Sequence, residues 1–400
     1  MKMLIKLLII TMCFILMSLQ SASTTPHRHH NHDHQHDHNH HHNHDHKHDH
    51  SHNSRNIANN EADDENTDIN ETLEDEFESD KFCEWDKCDK DKDLREPRGF
   101  SKYLDLQFLK KLVKNLNPFS KGDMQMRYFL FKKDFSECGH EIFLGDNSIF
   151  TSGLNATHPT RIVVHGWMSG TRGSFNRDVK NAYLSRGDYN VIVADWSASA
   201  TNLNYFSVVK MIEGFGEQLA KFTTYLHDSM QVNYDDIYVI GHSLGAQIAG
   251  AAGKRLKPAQ YNTIFALDPA GPKFRKRSIE CRIDPTDAKY VESMQTSANL
   301  GFLEPTGSAT FYPNYGYYQR KCYYLGCSHI RAYKMFAESI VSKIGFWGTR
   351  CQRSNKDFEC SEQPNDFFRM GGEPSVPKAG IFYVKTGTSE PFALGRNITV

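Results

Sequence analysis

The sequence predicts an α/β fold: a mostly parallel central sheet with helices on both faces. Three observations lead there. Short apolar runs rich in Val and Ile, bounded by turn residues, occur at 161–165, 190–195, 236–241 and 262–267. Stretches of helical periodicity, 208–227 and 244–256, alternate with them. The first hundred residues read as non-globular, which leaves about three hundred for one domain, enough to bury about 75% of its unfolded surface. Fully buried strands appear as continuous apolar runs, and strand–helix alternation implies parallel pairing.

Taken from the amino end, residues 1–23 read as a secretory signal peptide. Lys2 and Lys6 open it, 7–19 is almost wholly apolar, and Ser21 and Ser23 suit cleavage. Residues 24–60 form a His-rich tail, with fifteen His between 27 and 52. Having nothing apolar to bury, it is expected to be a disordered, solvated segment. Neutral imidazoles ligate zinc, copper or nickel, so divalent metal ions are expected partners of the tail in a test tube. Residues 61–100 form a charged linker, whose first twenty positions hold eleven acidic side chains and no Lys or Arg.

The domain proper is expected over 101–400. It opens with Leu104, Phe108, Leu112, Val113 and Leu116 at helical spacing, interleaved with Lys110, Lys111 and Lys114. Such a stripe docks on its own domain or lies on a membrane surface. A late strand is expected at 381–385. The chain's net charge of −1 gives no case for nucleic acid, although residues 101–400 come to about +9. Asn70, Asn155 and Asn397 head glycosylation sequons, in keeping with secretion. With Cys13 in the signal, eight Cys remain, an even number suited to disulfides. Cys322 with Cys327 and Cys351 with Cys360 are natural local pairs. Cys83, Cys88, Cys138 and Cys281 allow three connectivities, all left open.

The chemistry centres on Tyr238-Val239-Ile240-Gly241-His242-Ser243-Leu244-Gly245, a strand, then Gly-x-Ser-x-Gly, then a helix opening on small residues. This is the nucleophile-elbow pattern of α/β-hydrolases, in which the acid and the base follow the serine. Of the six His outside the tail, only His329 follows Ser243. It is therefore the expected general base, just ahead of a helical stretch at 330–341. Asp268 directly follows the run 263–267, at the end of the next strand, and is the expected orienting acid. Asp284, Asp287, Glu280, Glu292 and Glu304 are less well placed. The oxyanion hole is expected from the backbone N–H groups of Leu244 and Trp167, the latter following a strand that ends Val163-Val164-His165-Gly166.

Over about residues 125–390 the chain resembles the pancreatic lipase family, in particular its insect members. The resemblance rests on Val163–Trp167, Asn190–Trp196, Gly241–Gly245, 266–272, Asp284–Ala288, Phe311–Asn314 and Cys327–His329. It implies a serine carboxylic ester hydrolase acting on lipid at a membrane or micelle interface, with its triad on Ser243, Asp268 and His329. In triacylglycerol-cleaving members a long disulfide-closed lid precedes the catalytic His. Here Cys322 and Cys327 enclose only Tyr323-Tyr324-Leu325-Gly326, and the stretch between Gln295 and Phe311 is also short. Both features resemble phospholipase A1-type members and imply sn-1 cleavage of phospholipids or galactolipids.

No cofactor is required by this reading. Some relatives hold a structural calcium, whose ligands would match Asp284 and Asp287 with the carbonyls of Ile279 and Arg282; the same residues also suit a helix cap. Gln295 and Ser308 stand where the family often has His. Only 71 residues follow His329, so no C-terminal β-sandwich domain is expected. Three other readings stand beside this one: a triacylglycerol lipase, a non-catalytic lipid-binding protein like the yolk proteins, and a metal-binding protein acting through its His tract.

Overall fold

The computed structural model describes residues 124–396, except 325, 355, 356 and 364. The expected signal, tail, linker and amphipathic stripe, with Asn70 and Asn397, lie outside the described residues. In chain order the strands are β1 (Arg127–Phe131), β2 (His140–Ile142), β3 (Thr160–Val164), β4 (Asn190–Asp195), β5 (Ile237–His242), β6 (Thr263–Leu267), β7 (Tyr290–Met294), β8 (Ala309–Pro313), β9 (Phe346–Ser354), β10 (Asp357–Cys360), β11 (Phe367–Met370) and β12 (Gly380–Val384). The four long helices are α1 (Ser174–Arg186), α2 (Tyr205–Met230), α3 (Leu244–Leu256) and α4 (Cys327–Val341).

All twelve strands form one sheet, ordered β10-β9-β12-β8-β7-β6-β5-β3-β4-β1-β2, with β11 also paired to β9. From β4 to β12 the pairs are parallel. Antiparallel strands flank them: β1 and β2 beyond β4, and β9 to β11 beyond β12. The sheet has a core on each face because its side chains alternate. In β3, Ile162 and Val164 join the core beneath α2 and α3, whereas Val163 joins the core beneath α1 and α4. The same division separates Val239 from Ile240 in β5 and Ile264 from Phe265 in β6. These seven apolar residues are each at most 1% exposed, which explains why the runs are continuous rather than alternating.

α2 begins where Asn204 Oδ1 accepts from the amides of Phe206 and Ser207, and ends at Gln231 in the left-handed region. Its buried positions Val208, Ile212, Phe215, Leu219, Phe222 and Leu226 recur at three and four residues. It runs from Tyr205 to Met230, nearly a turn longer at each end than expected at 208–227. The expected strands are found within one residue of their predicted limits. Several elements were not expected. β7 carries Glu292 in mid-strand, a charge foreign to a buried run; it is only 2% exposed and accepts from Lys378 Nζ at 2.8 Å and Gly371 N–H at 2.5 Å. α1 carries Asn176, Asp178 and Lys180 and so has a weak apolar stripe.

The register sets the site. Val164 lies beside Ala194 and Gly241, and Leu267 beside His242 and Met294. The carboxyl ends of β3 to β7 therefore align, and His165, Asp195, Ser243, Asp268 and Gln295 emerge along one edge. This is where open α/β sheets bind their ligands.

Candidate active site

Ser243 sits between β5 and α3 with φ 57° and ψ −122°, a conformation that costs of order 1–3 kcal/mol for a non-glycine residue. Two close approaches make this turn possible. A methyl group at Gly241 would lie 2.5 Å from Gly245 O, and one at Gly245 would lie 2.0 Å from Val164 O. Both positions must be glycine for strand, turn and helix to pass each other. The turn is braced by Ser243 N–H donating to Leu267 O at 3.1 Å and by Ala270 N–H donating to Ser243 O at 3.1 Å. Ser243 is half-buried, and its Oγ makes no side-chain hydrogen bond among the described residues.

The structure brings Asp268 and His329 into direct contact. His329 Nδ1–H donates to Asp268 Oδ2 at 2.5 Å, with the carboxylate wholly buried. Asp268 Oδ1 accepts from the amides of Thr296 at 2.7 Å and Ser297 at 3.0 Å, and the Ser297 hydroxyl also bonds Oδ2. These donors fix the carboxylate plane and therefore the tautomer of His329, leaving Nε2 without hydrogen. His329 lies in the first turn of α4, which starts at Cys327 rather than at the expected 330. The Thr296 and Ser297 contacts were not legible in sequence, since nothing marks a loop amide as a carboxylate ligand.

His242 ties His329 to the end of β5. Its Nε2–H donates to His329 O at 3.1 Å, and the two rings lie 4.4 Å apart. Burial, reinforced by the neighbouring His329, holds the His242 imidazole well below the usual histidine range. It is thus a neutral wedge, packed between Phe175 and Tyr333. Ser243 follows His242 directly in the chain and so adjoins this pair.

Leu244 is the first residue of α3, where an N–H has no partner within the helix. On the other side of Ser243, a methyl group at Gly166 would lie 2.9 Å from Ser243 Cβ, so the Gly166–Trp167 peptide is pressed against this turn. That segment is anchored: Trp167 Nε1–H donates to Asn202 O at 2.7 Å and Met168 N–H to Ala200 O at 2.9 Å.

Beside His329 an open cavity of about 230 Å³ is lined by Ser297, Leu300, Tyr318, Tyr323, Tyr324 and Ser328, among others. The Cys322–Cys327 disulfide closes the short loop at its rim, and Tyr323 there is 90% exposed. The facing loop is tied down by Arg275, which donates to the carbonyls of Ala298, Asn299 and Gly301. The second expected disulfide, Cys351–Cys360, joins β9 to β10. Cys138 is also disulfide-bonded, whereas Cys281 carries an exposed free thiol. Gln295 is buried and donates to Ser293 Oγ and Thr306 Oγ1, and Ser308 Oγ accepts weakly from Val291 N–H. Asn155 is half-buried, its Oδ1 accepting from the amide and hydroxyl of Thr157.

The expected calcium ligands are committed elsewhere. Asp284 Oδ1 accepts from Thr286 N–H and Asp287 Oδ2 from Asp284 N–H, a reciprocal helix cap. The remaining oxygens, Asp284 Oδ2 and Asp287 Oδ1, both bind Lys254 Nζ. An ammonium already stands where a divalent cation would be placed, and these residues do not fit calcium. Burial raises the Asp287 carboxyl to about 7 despite Lys254. At Asp284, burial is outweighed by Lys254 and Thr286, and its carboxyl stays below the usual range.

A family model described as Lipase matches residues 99–392. A probable phospholipase A1, magnifin, of Vespa magnifica is 36% identical over 249 residues, 58% of this chain and 74% of that protein. Phospholipase A1 2 of Dolichovespula maculata is 34% identical over 264 residues, 62% of this chain and 87% of that protein. Phospholipase A1 member A of Bos taurus is 30% identical over 309 residues, 71% and 66% of the two chains.

Proposed function

Because the chain belongs to the lipase family and is therefore a carboxylic ester hydrolase, we propose that it is a secreted phospholipase A1 that cleaves the sn-1 acyl ester of phospholipids through Ser243, Asp268 and His329. The observation that carries the triad is the 2.5 Å bond from His329 Nδ1 to the buried Asp268 carboxylate, at the sheet edge where Ser243 stands strained.

The chemistry follows from that arrangement. His329 Nε2 takes the Ser243 proton as Oγ attacks the ester carbonyl. Asp268 holds the ring and balances the imidazolium that forms. The amides of Leu244 and Trp167 bind the oxyanion. Collapse of the tetrahedral species expels the lysolipid alkoxide, which takes the proton from His329. Water then attacks the acyl-enzyme by the same steps and releases the fatty acid. The triad needs no metal or organic cofactor. Among the described residues the Ser243 Oγ makes no bond to His329, and catalytic contacts of this kind commonly tighten on forming the complex with substrate.

The headgroup preference rests on the short Cys322–Cys327 loop, which leaves the site open to a polar headgroup. The tyrosines of its rim suit a membrane–water interface. The two disulfides and the phospholipase A1 relatives support an extracellular protein. The test is a panel of sn-1-labelled phosphatidylcholine, monogalactosyldiacylglycerol and triolein, with wild type and Ser243→Ala. Release of the sn-1 label by wild type alone supports the proposal. Strong preference for triolein refutes the phospholipid assignment, and turnover by Ser243→Ala refutes the triad.

A further inference from the structure

We infer that His165, held by Asp195, is the positioning residue that aims the oxyanion-binding peptide. The inference rests on the proposed triad, since it concerns the oxyanion that Ser243 generates. Gly166 O and Trp167 N–H belong to the same planar trans peptide and point in opposite directions. Whatever fixes the oxygen therefore aims the amide. His165 Nδ1 lies 2.9 Å from Gly166 O, an oxygen that can only accept, so the ring bonds it in the form that carries hydrogen on Nδ1.

The ring itself is held on every side. Its Nε2 is 3.0 Å from Asp195 Oδ1, and Asp195 Oδ2 accepts from Ser197 Oγ at 3.0 Å. The imidazole is nearly parallel to the Trp196 indole, with centroids 5.5 Å apart, and Trp196 Nε1–H donates to His165 O at 2.8 Å. His165 and Asp195 are 0% and 1% exposed. Burying such a pair is expensive, and neither residue touches the reacting atoms. Their placement at the ends of β3 and β4, directly behind the elbow, gives that cost a purpose. A donor on the carbonyl also polarises the peptide and strengthens its N–H as a donor to the anion.

The test compares His165→Asn with His165→Gln. Asn carries its amide nitrogen near the place of Nδ1 and keeps a donor for Gly166 O. Gln reaches towards Asp195 and leaves Gly166 O without one. The readouts are kcat and KM for a water-soluble p-nitrophenyl acyl ester, which does not depend on the phospholipid assignment, with thermal melting as a control of folding. His165→Gln is expected to lower kcat by about 100-fold with KM nearly unchanged, since a misplaced group of this kind costs that order. His165→Asn is expected to recover at least about tenfold of the loss. Equal losses in the two variants, or no loss with Gln, overturn the inference. If the Gln variant does not fold, Asp195→Asn takes its place, with kcat expected to fall at least about tenfold at constant KM and an unchanged kcat counting against us. Ser243→Ala in the same assay keeps the two questions apart: full activity there sinks the triad itself.

Discussion

Replacing Asp268 by Asn exchanges one oxygen for an NH2 group and should disable the base without unfolding the protein. Asp268 Oδ1 receives the amides of Thr296 and Ser297, so the Asn oxygen must take that place; an NH2 group there would face two donors. The Asn nitrogen is then turned towards Ser297 Oγ, which can accept from it, and towards His329 Nδ1. His329 has to accept at Nδ1 and carry its hydrogen on Nε2, the atom that should receive the Ser243 proton. In the serine-protease template the same change costs about 10⁴-fold in kcat, and we expect the same order, about 5.5 kcal/mol of barrier. One neutral hydrogen bond replaces one charged bond, so stability should fall by only about 1–2 kcal/mol. Stopped hydrolysis of a soluble p-nitrophenyl ester gives kcat, and melting gives stability. A folded Asp268→Asn protein with kcat within tenfold of wild type would refute the assignment of His329 as base.

Other outcomes are expected. Gly245→Ala must displace the β3 backbone carbonyl 2.0 Å from its new methyl, so folded yield should collapse or Tm fall by about 10 °C in calorimetry. Lys254→Met strands two buried carboxylates and should cost about 3–5 kcal/mol in urea unfolding; a neutral result would mean that Lys254 is not their counter-ion. Burial lifts the Asp287 carboxyl to about 7 when folded, against about 3.9 unfolded. Its contribution is therefore complete below pH 4 and lost as pH rises to about 7, and Asp287→Asn should flatten the Tm profile across that window. Asp284, held low, titrates outside it. Chelation with EDTA should leave Tm of the disulfide-intact domain unchanged, since Lys254 occupies the expected calcium site; a drop reversed by calcium would show otherwise.

The sequence revealed the parts of the fold that are apolar on both faces. β3 to β6 are such runs, and their ends placed Ser243 and Asp268 on a common edge before any coordinates. His329 emerged from scarcity, as the last His in the chain. What stayed hidden depends on partners distant in sequence. Glu292 disguised β7 because its counter-charge, Lys378, lies 86 residues on. The antiparallel β9 to β11 are amphipathic and short of Val and Ile, so their pattern resembled loop. His165 looked like one more residue at the end of β3; only the fold discloses that Asp195, 30 residues later, faces it. The ion pairs at Asp284 and Asp287 were hidden for the same reason, because Lys254 belongs to a helix whose approach to them no local pattern announces.

The tied loops around the entrance have a mechanical consequence. Arg275 clamps one rim and the Cys322–Cys327 bridge closes the other, so among the described residues nothing at the mouth has to swing aside for a lipid to enter. On the proposed reading, turnover is then throttled by the substrate layer: loosely packed or highly curved films yield their molecules readily, and rising lateral pressure slows the enzyme without altering its shape.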